Sequence, residues 1–202
     1  GENLDSNPNK VDDIEQISVE SLFVGSQVTM YGIMSGYINR LVTMFMQQLG
    51  GQLYSHADDY KCAPLDWRID NRWSDLYGTG GLVDLRSIQQ KSGEQEKHVL
   101  KGIAQMWEAL IFSTAADLWG DIPYSQAVNS LYPEPLFDSQ KSVHDDVLLL
   151  IDNAVANIQK GQIFSNLNDF TFNGDLSRWV SCAKTLQARI ELNWAEVNGL
   201  EA

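Results

Sequence analysis

The sequence predicts an all-α fold on three observations. Apolar residues recur in steps of three and four over five separate segments, the spacing of one helix face. Period-two alternation, the mark of a half-buried strand, is nearly absent. The breakers gather between the periodic segments: Pro64 in one connection, Pro123, Pro133 and Pro135 in another, and glycines at Gly50, Gly51, Gly78, Gly80 and Gly81. Helices joined by such irregular connections favour an array of antiparallel pairs. No clean self-similarity at about 34 residues is present, so a helical-repeat array rests on helix pairing alone.

The first helix is expected over residues 18–48, closed by Gly50 and Gly51, with Met30, Ile33, Met34, Tyr37, Ile38, Leu41, Val42, Phe45, Met46 and Leu49 on its inner face. The methionines on it are read as core filling, except Met44, which falls off that stripe. Residues 52–66 show no period and read as a loop. A second helix, over 67–91, carries Ile69, Trp73, Leu76, Tyr77, Val83 and Ile88 on one side, with a bend at the glycines around 78–81.

A third helix, over 94–118, places Leu100, Ile103, Trp107, Leu110, Ile111 and Leu118 inward. Residues 119–138 hold too many prolines for a regular helix. Asp138 or Ser139 then caps a fourth, whose face is Val143, Val147, Leu150, Ile151, Ala154 and Ile158. Residues 161–173 form a loop with a short extended piece at 169–172. Asp175 or Ser177 caps a fifth helix with Trp179, Ala183, Leu186, Ile190 and Trp194 facing in.

Composition narrows the function. A chain of 202 residues can bury a full core without staples. With 27 acidic and 14 basic residues, a net charge of -13, the surface repels phosphate backbones, so nucleic acid is not an expected partner. A hydrophobic content of 44%, with six Trp, seven Tyr and seven Phe, excludes a disordered chain. The longest weakly apolar run, residues 28–38, is far short of the ~20 residues of a membrane span. Cys62 and Cys182 form no CxxC or Cys/His cluster; one bridge and two buried thiols both stay open.

Catalytic signatures are missing. His56, His98 and His144 show no metal-binding spacing, so no metal and no cofactor is expected. The Gly78-Thr79-Gly80-Gly81 run lacks the Lys-Ser/Thr of a phosphate loop, and there is no GxSxG elbow. The adjacent acids Asp58 and Asp59 read as solvated loop residues rather than a glycosidase pair. The chain is therefore not expected to be an enzyme.

Several stretches carry a family resemblance. Leu118-Trp119-Gly120-Asp121-Ile122-Pro123-Tyr124-Ser125-Gln126-Ala127 resembles the D-L-[WY]-G-D-[VI]-P-Y-[ST]-[EQ]-A segment of the SusD/RagB outer-membrane nutrient-binding lipoproteins. Pro135, Phe137 and Asp138, followed by Val143 to Ala154, resemble that family's P-x-x-D-x-Q…V-Y-x-x-I…L-D-x-A helix, with His144 where Tyr is usual. Gly174-Asp175, Arg178-Trp179 and the stretch from Ala183 to Arg189 are similar to G-D…K-W…A-N-S-L-x-L-R, departing from the usual Asn-Ser. Asn7-Pro8-Asn9 and the W-x-x-L-Y stretch from Trp73 to Tyr77 also match, in family order.

The resemblance implies a TPR-like helical array. It also implies that residues 1–202 form one helical domain equivalent to the N-terminal half of longer family members, with residues 1–17 an extended segment. It further implies a non-catalytic nutrient-binding protein, with a glycan the expected ligand. Such a protein stands on the outer face of a Bacteroidetes outer membrane beside a TonB-dependent SusC-like transporter, held by a lipid on a signal-peptide cysteine upstream of Glu2. The alternative is a helical scaffold that docks on a transporter without binding glycan.

Sugars pack their C–H faces on aromatic rings and give their hydroxyls to planar polar groups. The loop from Tyr54 to Trp73 concentrates such groups in Tyr60, Trp67, Arg68, Asp59 and Asn71, the candidate ligand residues. The competing reading makes Trp67 and Trp73 core residues and the charges solvent-facing. Trp119 and Tyr124 are expected to lock a helix exit against the core rather than to form a platform.

Overall fold

The computed structural model describes residues 17–50, 73–78, 80–161 and 168–198. Its helices there are α1 (Val19–Ser35), α2 (Tyr37–Phe45), α3 (Leu82–Glu94), α4 (His98–Trp119), α5 (Gln140–Lys160) and α6 (Leu176–Asn198). Residues 73–77 are also helical. Among the described residues there is no strand, only an isolated antiparallel bridge between Ile122 and Asp138. The fold is all-α, a TPR-like array of helix pairs, as the sequence predicts.

Helix α4 is the centre of the array. It packs along α5 on one side and α3 on the other, while α1 lies on α3 and α6 on α5. Its sequence requires this position, because apolar side chains surround the helix: Val99, Leu100, Ile103, Met106, Ile111 and Phe112 are all almost fully buried. Helix α5 needs only one covered face. Val143, Val147, Ile151, Ala154 and Ile158 fall on a single stripe and are all buried, the larger ones each stabilising the fold by about 1.5–3 kcal/mol.

The first long helix is two helices. At Gly36 the backbone takes φ −86° and ψ −133°, which ends the i→i−4 ladder of α1 before α2 begins. A Cβ at this position would lie 2.3 Å from the Gly32 carbonyl oxygen, so the bend requires glycine. The break changes the phase of the apolar stripe. Met44 is buried and Met46 is exposed, the reverse of the expectation, and Val42, Phe45 and Leu49 are exposed as well.

Other boundaries also move. The glycines at 78–81 interrupt the second helix, leaving residues 73–77 and α3 as separate pieces, while residues 67–72 lie outside the described residues. Helix α3 runs on to Glu94, and a turn through Glu96, at φ 55°, delays α4 to His98. Leu118 is exposed, because it lies on the last turn of α4.

Of the two candidate caps of α5, Ser139 does the capping: its Oγ accepts the Ser142 N–H at 3.2 Å. Asp175 Oδ1 caps α6, accepting the N–H groups of Ser177 and Arg178 at 3.0 and 3.2 Å.

Residues 169–172 are a turn and not an extended piece. The buried Asp169 carboxylate accepts N–H groups from Thr171, Phe172 and Gly174 and from the Trp179 indole, which curls the backbone around it. Gln27 of α1 donates to the Asn168 carbonyl at 2.7 Å and accepts from Phe170 N–H at 2.9 Å, tying this turn to the start of the array. Cys182 is a free thiol, and Cys62 lies outside the described residues. The expected extended segment at residues 1–17 also lies outside them, apart from Ile17.

Candidate functional site

The site begins where α4 stops. Gly120 takes φ 77° and its N–H bonds to the Ala116 carbonyl at 2.9 Å, a helix end that favours glycine. Pro123 then keeps the chain extended. The segment returns at Asp138, where Ile122 and Asp138 exchange backbone hydrogen bonds of 3.1 and 2.9 Å. The Asp138 carboxylate closes the loop from inside. It accepts the N–H groups of Tyr124 and Ser125 at 2.9 and 2.7 Å and the Ser125 hydroxyl at 2.8 Å. Burial alone would raise its pKa, but the hydrogen bonds from Ser125 and Tyr124 outweigh it and hold the carboxyl below the ordinary carboxylate range.

Helix α3 and the residues before it hold the same loop from beneath. Arg86 donates to the carbonyls of Tyr124, at 3.0 Å, and Ala127, and its Nε lies 3.3 Å from the buried Glu108 carboxylate. Gln89 donates to the other Glu108 oxygen. The Tyr77 hydroxyl donates to the Pro123 carbonyl at 2.8 Å, and burial pushes this phenol and that of Tyr124 well up, so both stay protonated.

On this frame a column of rings runs from the core to the surface. Phe112, fully buried, meets Tyr124 at 5.2 Å and Tyr77 at 5.5 Å between centroids. Tyr77 meets Trp73 at 5.2 Å, and Trp73 meets Trp119 edge-on at 5.7 Å. The outermost ring is Phe137, stacked on Trp73 at 6.5 Å with planes 15° apart and 66% exposed. Trp73 and Trp119 are half-buried. Tyr124 is locked inside, as the sequence predicts, and Trp119, half-buried, packs against the core while meeting Trp73 toward the outer end of the column.

The residues named from the sequence, Tyr60, Trp67, Arg68, Asp59 and Asn71, all lie outside the described residues. The aromatic end of the column adjoins them in the chain, since Asn71 precedes Trp73 by two positions. Sequence reasoning missed Phe137 and Trp119 as partners of Trp73. The one available signal was the family-motif stretch that contains Phe137 and Asp138. Among the described residues no group of three or more His, Cys, Asp or Glu side chains could hold a metal ion.

A family model described as SusD-like, starch-binding associating with outer membrane, matches residues 8–202. The chain belongs to the SusD-like family. Its backbone is similar to that of a SusD/RagB family protein from Bacteroides thetaiotaomicron, with a TM-score of 0.72 and 24% identity over 87% of this chain. It is also similar to a chitin-binding protein, with a TM-score of 0.72 and 19% identity over 89% of this chain. A SusD homolog from Bacteroides uniformis matches 67% of this chain at 25% identity and a TM-score of 0.55, and 28% of that chain is covered.

The first two likenesses establish the SusD-like fold, and this chain spans 38% and 40% of those proteins. Among curated protein sequences no match is found. No described helix of this SusD-like chain is long and apolar enough to cross a membrane.

Proposed function

We propose that this chain is the N-terminal helical half of a non-catalytic glycan-binding component of a SusCD-type outer-membrane uptake system. The observation that carries the reading is the exposed Phe137 ring stacked on Trp73 at 15°. A large ring left in water on a loop pinned by Asp138 and Arg86 is an open apolar face already held in position. Binding a sugar face there requires little further ordering of the protein. The family's description as starch-binding and the likeness to a chitin-binding protein support a polysaccharide as the ligand class. The exposed Phe137 ring at the end of the column favours glycan capture over a scaffold that only docks on a transporter.

In this reading the polar groups for sugar hydroxyls come from Tyr60, Trp67, Arg68, Asp59 and Asn71. The partner is a TonB-dependent SusC-like transporter. The protein stands on the extracellular face of the outer membrane as a lipoprotein, its lipid on a cysteine upstream of Glu2.

Native electrophoresis in gels containing soluble starch or glycol-chitin tests the glycan claim. Retardation in one of them and none in a polysaccharide-free gel is expected, and equal mobility in all gels contradicts it. Mass spectrometry of the mature native N-terminus tests the anchor, with a diacylglyceryl-cysteine as the expected result and an unmodified terminus as the contrary one.

A further inference from the structure

The turn that leads toward Phe137 is held from below by a buried charge. Glu108 of α4 is 3% exposed, and its carboxylate accepts from Arg86 Nε at 3.3 Å and from the Gln89 amide. The other two Arg86 nitrogens donate to the carbonyls of Tyr124, at 3.0 Å, and Ala127, and the guanidinium lies 5.4 Å from the centre of the Tyr124 ring. An apolar pair of similar volume would stabilise the fold as well as a buried ion pair does. It could not grip two loop carbonyls with one planar fork.

The grip opposes backbone strain. Val128, directly after Ala127, takes φ 56°, and of the described non-glycine residues in the left-handed region it is the β-branched one. A Cβ is crowded in this conformation, and with Val128 42% exposed, packing offsets little of the cost. Between the gripped carbonyls stands Gln126, whose side-chain oxygen accepts the Leu136 N–H at 3.1 Å. Leu136 precedes Phe137 in the chain, so a continuous set of bonds runs from Glu108 through Arg86 and the 124–127 turn to the residue beside the exposed ring.

Resting on the reading of Phe137 as a sugar contact, we propose that Glu108 and Arg86 are positioning residues for that ring: they hold the 124–127 turn against the strain at Val128 and, through Gln126, fix the segment that presents Phe137. Neither residue touches the sugar. Their removal loosens the loop because Val128 is then free to leave the left-handed region.

Arg86→Gln combined with Glu108→Gln tests this without leaving a buried charge unpaired, and circular dichroism checks that the variant is folded. Hydrogen exchange of the Ala127 and Leu136 amides should quicken about tenfold, the scale of one strained left-handed residue. Affinity for whichever of maltoheptaose and chitohexaose the wild type binds should fall by a similar factor. Adding Val128→Gly removes the crowded Cβ and should restore both readouts, whereas adding Val128→Ala keeps it and should not. Rescue by glycine alone is a result that lost packing cannot produce.

Wild-type exchange in the combined variant, no rescue by glycine, equal rescue by alanine, or undiminished sugar affinity with a loosened loop would each overturn the proposal. Gln126→Ala gives a second test that leaves the ion pair intact. It should quicken exchange at Leu136 and not at Ala127, and an unchanged Leu136 would break the link from Arg86 to Phe137. If the wild type binds neither sugar, the glycan reading fails, and the exchange rates still decide whether Glu108 and Arg86 hold the loop.

Discussion

The Trp194 indole N–H donates to His144 Nδ1 at 2.8 Å, which makes Nδ1 the unprotonated nitrogen and places the ring proton on Nε2. That second nitrogen faces the Ser113 carbonyl at 3.4 Å and Asp117 Oδ1 at 3.3 Å, so one buried imidazole links α5 to both α4 and α6. Trp194→Phe keeps an aromatic ring but strands a buried acceptor. It should cost about 1–3 kcal/mol in a urea titration, the usual penalty for an unpaired buried group. Long-range proton–nitrogen NMR of the wild type should show the Nε2-protonated tautomer. The opposite tautomer would break this account of the α5–α6 junction.

Trp107 is 5% exposed and meets Tyr31 at 5.3 Å and Trp179 at 6.4 Å, both edge-on. Emptying the site by Trp107→Ala should destabilise the fold by about 3–5 kcal/mol. Its indole N–H has no hydrogen-bond partner among the described residues, so Trp107→Phe loses no bond and should cost much less. Equal losses in the two variants would mean that the N–H has an acceptor after all.

Asp138 governs the loop that carries Phe137. Asp138→Ala should cost about 2–3 kcal/mol at pH 7, since it removes hydrogen bonds to a charged acceptor. The folded pKa is depressed, so this stabilisation is present above the unfolded carboxylate value of about 3.9 and is lost as pH falls through it toward the folded value. Urea midpoints of wild type and variant should therefore converge below about pH 4 and separate above it. A constant gap at all pH values would show that the carboxylate charge is not what holds the loop.

Helices α4 and α5 were legible because burial dictates their sequences directly. Val143, Val147, Ile151, Ala154 and Ile158 recur at helical steps, and all point into the core. The break at Gly36 was not legible. A lone glycine in a helical pattern costs only about 1 kcal/mol, too little to separate a tolerated residue from a helix end. Tertiary packing decided the outcome and turned Met44 inward.

The same limit applies to the site. Trp73, Trp119 and Phe137 come from three segments, and periodicity could only assign Trp73 to an apolar face. Their meeting at the surface results from the loop closure at Ile122 and Asp138. The family motif marked that loop as special without saying that Phe137 points outward. The loop residues chosen from composition, Tyr60, Trp67, Arg68, Asp59 and Asn71, stay a proposal.

Titration calorimetry with maltoheptaose and chitohexaose tests the proposed sugar contact at Phe137 most directly, using wild type and Phe137→Ala. Phe137 is 66% exposed, so its removal should leave the thermal midpoint nearly unchanged. Wild type should bind at least one of the two sugars, and the variant should bind it about tenfold more weakly, the equivalent of one lost stacking contact of about 1.4 kcal/mol. Binding of the same strength by both proteins, or no heat from either sugar with the wild type, would contradict the account.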